Sequence, residues 1–242
     1  MQFIDTHAHV YSEELLPDIN QCIQNAIGAG VSKIFMPAID SHSLNAMFSV
    51  EKSFPEMCFA MMGLHPCYVK ENVQEELNIV ADQLSKRKFP AIGEIGLDFF
   101  WDKTFVKQQQ LAFNTQMQWA LDFNLPIVIH TRNAMGETIE AVKPFANKGL
   151  RGIFHCFSGS KESAEQITGM GFHLGLGGVL TYKNAGVAEA IKEIPMKWLV
   201  LETDAPYLSP VPYRGKKNEP AFIVELAKKL AEIKNIPMHD VA

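Results

Sequence analysis

The sequence predicts an α/β protein folded as a closed (β/α)8 barrel, the TIM-barrel architecture. Three observations lead there. Strand-like apolar runs alternate with stretches of helical spacing, making eight units along 242 residues. The strand-like runs are mostly apolar on both faces, as parallel strands covered by helices must be. An open, doubly wound sheet would carry a glycine-rich fingerprint after its first strand, and none is present. A barrel of this kind needs about 250 residues, so residues 1–242 read as one domain.

The elements follow in order. "FIDTHAHV" (3–10) is the first strand, and period-two alternation sets Asp5, His7 and His9 on one side of it. Helical spacing over 14–29 leads to "VSKIFMPAI" (31–39), the second strand. "MCFAMMGLHP" (57–66) is the third, followed by a helix over 74–87. "PAIGEIGLD" (90–98) is the fourth, before the long helix-forming run 104–123. "LPIVIHTR" (125–132) and "RGIFHCFS" (151–158) are the fifth and sixth, with helices over 134–146 and 160–170. "FHLGLGG" (172–178) is the seventh; its glycines lack the lysine of a phosphate loop, and close backbone packing explains them. After a helix over 185–193 comes "KWLVLETDAP" (197–206), the eighth. The last helix, 219–233, starts from Asn218 and Glu219 with Pro220 in its first turn. The tail "MHDVA" breaks off where helix would continue, which implies missing C-terminal residues.

Composition sets bounds on function. A hydrophobic share of 47% and a charged share of 20% fit a soluble globular enzyme. A net charge of −5 argues against a broad basic surface gripping duplex nucleic acid. No signal peptide and no long apolar run is visible, so no membrane partner is expected. Cys22, Cys58, Cys67 and Cys156 form no CxxC pair, which points to a reducing cytoplasm. A monomer is the expected state.

Active sites of such barrels form at the carboxyl ends of the strands. Reading each strand to its end gives His7 and His9, Glu94, His130, His155 and Asp204. Each interrupts a run of Ile, Val, Phe or Leu, so core packing explains none of them. Imidazole nitrogen with carboxylate oxygen suits first-row divalent metals. Six donors exceed one tetrahedral ion, which favours two, with Glu94 as the bridge. His7, His9 and Asp204 would hold the first ion, and His130 and His155 the second. Asp5, one pleat deeper, is expected to orient a ligand from behind or to cap the strand.

At these residues the sequence resembles the TatD family of metal-dependent hydrolases, a branch of the amidohydrolase-like barrels, along nearly its whole length. The matching stretches are "DTHAHV", "GLHP", "AIGEIGLDFF", "LPIVIHTRNA", "FHCFSGS" and "LETDAPYLSP", followed by "YRGKKNEP". The resemblance implies the same six ligands. It also implies a metal-dependent deoxyribonuclease that removes nucleotides from DNA ends. Related amidohydrolases bridge their metals with a carboxylated lysine on the fourth strand, where this chain has Glu94. Family members usually continue into a further helix at the end, where this chain departs from them.

The expected chemistry is phosphodiester hydrolysis with two divalent ions of zinc, magnesium or manganese. A water deprotonated to hydroxide with their help would attack phosphorus in line, with Asp204 as general base. Counting Glu94 and Asp204 against two ions leaves the mouth cationic, fit for a phosphate. His65 in "GLHP" and Arg132, two residues past His130, are candidate phosphate contacts, as is Arg214 in "YRGKKNEP", braced by Glu219. "DFFWD" (98–102) sets Phe99, Phe100 and Trp101 after Glu94, either to stack unpaired bases or, the preferred reading, to pack as a lid. Cys156, next to His155 on a strand, is expected to face the core. His42, His173 and His239 are read as structural. The partner is DNA, as single strands or ends. The rival reading is hydrolysis of an ester or amide, such as an aminoacyl-tRNA ester or a cyclic amide.

Overall fold

The computed structural model describes residues 1–242. Eight short parallel strands run β1 Phe3–Asp5, β2 Val31–Pro37, β3 Cys58–Met61, β4 Ile92–Asp98, β5 Ile127–Arg132, β6 Gly152–Phe154, β7 His173–Leu176 and β8 Leu199–Leu201. Each pairs with its sequence neighbour, β1 to β3 in one ladder and β4 to β8 in another. The two ladders join at both seams. Met62 bridges to Ile92 beside β3 and β4, and the Gly93 N–H donates to Met62 O at 3.0 Å. On the other side the Thr6 N–H donates to Leu201 O at 3.2 Å, and the Asp204 N–H to His7 O at 2.9 Å. The sheet is therefore closed, a (β/α)8 barrel as the alternation predicts.

The helices are α1 Ile19–Gly28, α2 Leu44–Ser53, α3 Val73–Lys86, α4 Val106–Asp122, α5 Met135–Ala146, α6 Lys161–Gly169, α7 Val187–Ile191 and α8 Ile223–Lys234. They cover the strands and bury one continuous core of 58 residues. α4 shows how. Ala112, Phe113, Met117 and Ala120 fall on one stripe and are buried against the sheet. Burying a side chain such as Phe113 contributes about 1.5–3 kcal/mol. The same stripe carries two buried amides with a different task. Gln116 accepts from the Leu64 N–H at 2.7 Å and donates to Leu64 O at 3.2 Å. Gln109 accepts from the Asp98 N–H at 2.9 Å and donates to Asp98 O at 3.1 Å. They satisfy backbone groups that leave the ladder at the ends of β3 and β4, next to His65 and Glu94.

Several strands stop earlier than their sequences suggest. β1 ends at Asp5, not at residue 10. Beyond it the chain still runs between its neighbours but bonds to them by turns: the Ala8 N–H reaches Phe35 O at 3.0 Å, and the His9 N–H reaches Ala205 O at 2.7 Å. β6 and β8 end at Phe154 and Leu201 for a related reason, since Cys156 and Asp204 take φ values of 48° and 56° that break the extended chain. α1 begins at Ile19, not 14, because Leu16–Asp18, with Pro17, form a 3₁₀ turn first. Pro220–Phe222 form a similar turn leading into α8. Gly96 has φ +146°, and a Cβ there would fall 1.9 Å from His130 O. Only glycine lets β4 approach β5 so closely where Glu94 and His130 must meet. Glycine at 178 has a packing reason as well, since a Cβ would strike Leu208 O at 1.7 Å.

Candidate metal centre

Four histidines and two carboxylates meet at the carboxyl end of the barrel. His7 and His9 lie just past β1, Glu94 inside β4, His130 in β5, His155 just past β6 and Asp204 past β8. His130 is half-buried and the other five are buried. Glu94 stands at the centre. Its Oε2 is 3.2 Å from His7 Nε2 and 3.4 Å from His9 Nε2. Its Oε1 is 3.0 Å from His130 Nδ1 and 3.5 Å from His155 Nε2. Oε2 thus faces the His7–His9 pair, and Oε1 faces the His130–His155 pair together with His65 Nε2 at 3.3 Å, an arrangement open to a bridging carboxylate. Asp204 Oδ1 is 3.7 Å from both His7 Nε2 and His9 Nε2.

These donors fit divalent cations on two counts. Ligand atoms 2.0–2.1 Å from a tetrahedral zinc stand about 3.3 Å apart. The Nε2 atoms of His7 and His9, 3.2 Å apart, match that spacing, as do their distances to Glu94. Charge is the second count. Asp98 and Glu202 are buried beside His130 and His155, so four carboxylates gather here, not two. Two divalent cations would balance four negative charges. This differs from the expected cationic mouth: with two such cations bound, the centre would be near neutral.

The rings of His9, His130 and His155 each have a neighbour at the nitrogen turned from the centre, whereas His7 Nδ1 has no partner. Tyr11 donates its hydroxyl to Pro37 O at 2.5 Å and lies 3.0 Å from His9 Nδ1. The hydroxyl must then accept the Nδ1 proton, which turns the Nε2 lone pair of His9 to the centre. His130 Nε2 faces Asp98 Oδ2 at 2.9 Å, and His155 Nδ1 faces Glu202 Oε1 at 2.9 Å. Such carboxylate–histidine pairs fix the tautomer and raise ligand basicity. His65 differs. Its Nδ1 accepts from the Cys67 N–H at 3.1 Å, so a neutral ring carries its proton on Nε2, 3.3 Å from Glu94 Oε1. His65 therefore offers the centre a donor. Asp5 touches no imidazole ring: it accepts from the N–H groups of His7 and Thr203 and from the Thr203 hydroxyl. It ties the end of β1 to the end of β8 and so places His7 against Asp204.

Burial and charge act together on these groups. Burial, the largest influence, pushes the Asp204 carboxyl up to about 6, against the pull of His155 and His9. Burial would also raise Glu94, yet His65, His7 and His155 hold it well below the usual carboxylate range. His7 falls to about 4 through burial and the neighbouring His155. His155 rises to about 10 in spite of burial, because Glu202 and Glu94 face it.

Elsewhere the sequence expectations meet corrections. Cys156 does not face the core; its thiol lies within 4.8 Å of ligand atoms of His155 and Glu202, because positive φ turns it toward the mouth. Cys67 likewise stands within 4.8 Å of His65 and His130 ring nitrogens. Arg214 lies over the Tyr182 ring at 4.4 Å, and Glu219, expected to brace it, instead accepts from Asn25 at 3.0 Å. Phe99 packs against the core as expected, but Phe100 and Trp101 are exposed and do not form a packed lid. Arg132 rests on Phe100 at 3.9 Å. Tyr11, Asp98, Gln109, Gln116 and Glu202 escaped the sequence reading. Asp98 and Glu202 had one signal there: a carboxylate ending or following a strand of otherwise apolar residues.

The TatD-related DNase family model matches residues 4–242. The chain belongs to the TatD family. The uncharacterised metal-dependent hydrolase YabD of Bacillus subtilis is 35% identical to it over 239 residues, which cover 98% of this chain and 93% of YabD. A second metal-dependent hydrolase, from Haemophilus influenzae, is 34% identical over 98% of this chain and 94% of its own length. The crystal structure of YjjV, a TatD homologue from Escherichia coli K12, superposes with a TM-score of 0.92 at 29% identity, over 99% of this chain and 93% of YjjV. This TatD protein is accordingly a metal-dependent hydrolase on a TIM barrel, carrying clusters of candidate metal donors. None of its helices is long and apolar enough to cross a membrane.

Glu202 offers a test of how the rings are set. A Cβ at Gly175 would fall 2.3 Å from Glu202 Oε2, so glycine there leaves room for the carboxylate. Glu202→Gln keeps the volume but loses the charge that faces His155. Zinc affinity, read by chelator competition, is expected to fall about 10- to 100-fold. Unchanged affinity would show that Glu202 does not support His155.

Proposed function

We propose that this TatD-family hydrolase cleaves phosphodiester bonds of DNA and removes nucleotides from strand ends. In this reading His7, His9, Glu94, His130, His155 and Asp204 hold two divalent cations, zinc, magnesium or manganese. The observation that supports it best is Glu94, whose two oxygens face separate histidine pairs beside the N–H of His65.

When bound, the cations would supply Lewis acidity, polarising the scissile group and lowering the pKa of water. The protein's own groups do the rest. Asp204 accepts the proton of the attacking water. His65 donates from Nε2 to a phosphate or leaving-group oxygen. Arg132, its guanidinium 3.9 Å from the Phe100 ring, forks a phosphate oxygen pair. The buried walls exclude bulk water, which strengthens each of these contacts.

A substrate panel tests the reading. Single-stranded DNA, duplex DNA, RNA, aminoacyl esters and dipeptides are each offered with zinc, magnesium or manganese in turn. Release of mononucleotides from DNA, stopped by a blocked 3′ end, is the expected result. Turnover of esters or amides with DNA left intact would overturn it in favour of the rival hydrolase.

A further inference from the structure

The loop after β4 holds two aromatic side chains to which the hydrolytic reaction gives no role. Trp101 is 68% exposed and Phe100 48% exposed, although large aromatic side chains normally gain by burial. Their rings meet edge to face, 4.9 Å between centroids and 84° between planes. The guanidinium of Arg132 lies 3.9 Å from the Phe100 ring and 5.1 Å from that of Trp101. A fixed positive charge thus shares one surface with open aromatic faces, in a chain whose net charge is −5.

This surface is held in register with the centre by one buried carboxylate. Asp98 Oδ1 accepts from the N–H groups of Phe100 at 2.9 Å and Trp101 at 3.0 Å. Its Oδ2 faces His130 Nε2 at 2.9 Å. Gln109 in turn grips both backbone groups of Asp98. The aromatic loop and the His130 ring therefore cannot shift independently without breaking these bonds.

We propose that Trp101 and Phe100, with Arg132 across them, form a stacking subsite for an unpaired nucleoside of a strand whose phosphate lies at the metal centre. The proposal rests on the phosphodiester reading and names the residues that would hold the terminal base. The chemistry is complementary. Every base offers a π-face to an open indole, so binding is tolerant of sequence. The adjacent guanidinium meets the phosphate that each nucleoside carries. A paired terminal base is already stacked on its own duplex and must be freed before it can occupy the indole. A simple dipeptide or alkyl ester has no base to place there.

Tryptophan fluorescence of the zinc-loaded full chain tests it, with a short oligothymidylate carrying non-hydrolysable phosphorothioate linkages as the probe. The chain has three tryptophans, and Trp119 and Trp198 are less exposed than Trp101. The expected result is quenching by the oligonucleotide, with binding about 5- to 100-fold weaker when the terminal base is replaced by an abasic residue. Trp101→Ala should abolish both the quenching and that difference, while zinc content and melting temperature hold. Equal affinity of the wild type for intact and abasic probes overturns the subsite, as does unchanged discrimination in Trp101→Ala. Concentration-dependent dimerisation that masks Trp101 without any probe would assign the surface to a second copy and also overturn it. Hydrolysis of bis(4-nitrophenyl) phosphate by the wild type is scored separately. It has no nucleobase, so its absence counts against the phosphodiester reading and leaves the fluorescence to decide the subsite.

Discussion

Asp204→Asn is expected to lower the rate of phosphodiester hydrolysis about 10²- to 10⁴-fold, the usual worth of a positioned general base. Asparagine keeps an oxygen at nearly the same place and cannot accept the proton of water. The backbone favours a clean comparison. Asp204 has φ 56°, a region that asparagine tolerates better than most residues, and its N–H bond to His7 O does not involve the side chain. The loss should fall on kcat more than on KM, with the melting temperature held. Wild-type turnover in the variant would remove Asp204 from the role of proton acceptor.

Glu94→Ala should have an effect at least as large, through binding instead of proton transfer. Glu94 is the one side chain that faces His7, His9, His65, His130 and His155 together. Without it the two histidine pairs lose their shared partner, and bound zinc is expected to fall below one ion per chain after dialysis. Hydrolysis should fall with it and fail to recover in millimolar zinc. The metal-free variant carries a second penalty. Breaking a buried ion pair on one side costs about 3–5 kcal/mol, so its melting temperature should drop below that of metal-free wild type. Full zinc content in Glu94→Ala would mean that the carboxylate is no bridge.

The six donors were legible because they interrupt apolar runs at the point where each strand meets the rim. Chain alternation alone carried that far: His7 and His9 stay on one side although β1 stops at Asp5. The residues that set the rings were harder to see. Tyr11 acts on His9, and Gln109 and Gln116 act on backbone groups of other elements, through contacts distant in sequence or across a turn. Helical spacing puts Gln109 and Gln116 on the buried stripe of α4 and Gln118 off it, but it does not reveal the backbone groups that the two amides bind. Alternation also misled where φ turns positive. Cys156 follows His155 directly, yet both face the mouth, because a residue in the left-handed region resets the direction of the chain. The charge count failed for a similar reason, since Asp98 and Glu202 approach only through tertiary closure. Their presence changes the electrostatic argument from surplus positive charge to balance.

An anomalous-scattering map of zinc-loaded crystals tests whether two divalent cations balance the four carboxylates. Two peaks are expected, one on each side of the Glu94 carboxylate: the first touching His7, His9 and Asp204, the second touching His130 and His155. A single peak, or two peaks that do not share Glu94, would contradict this arrangement.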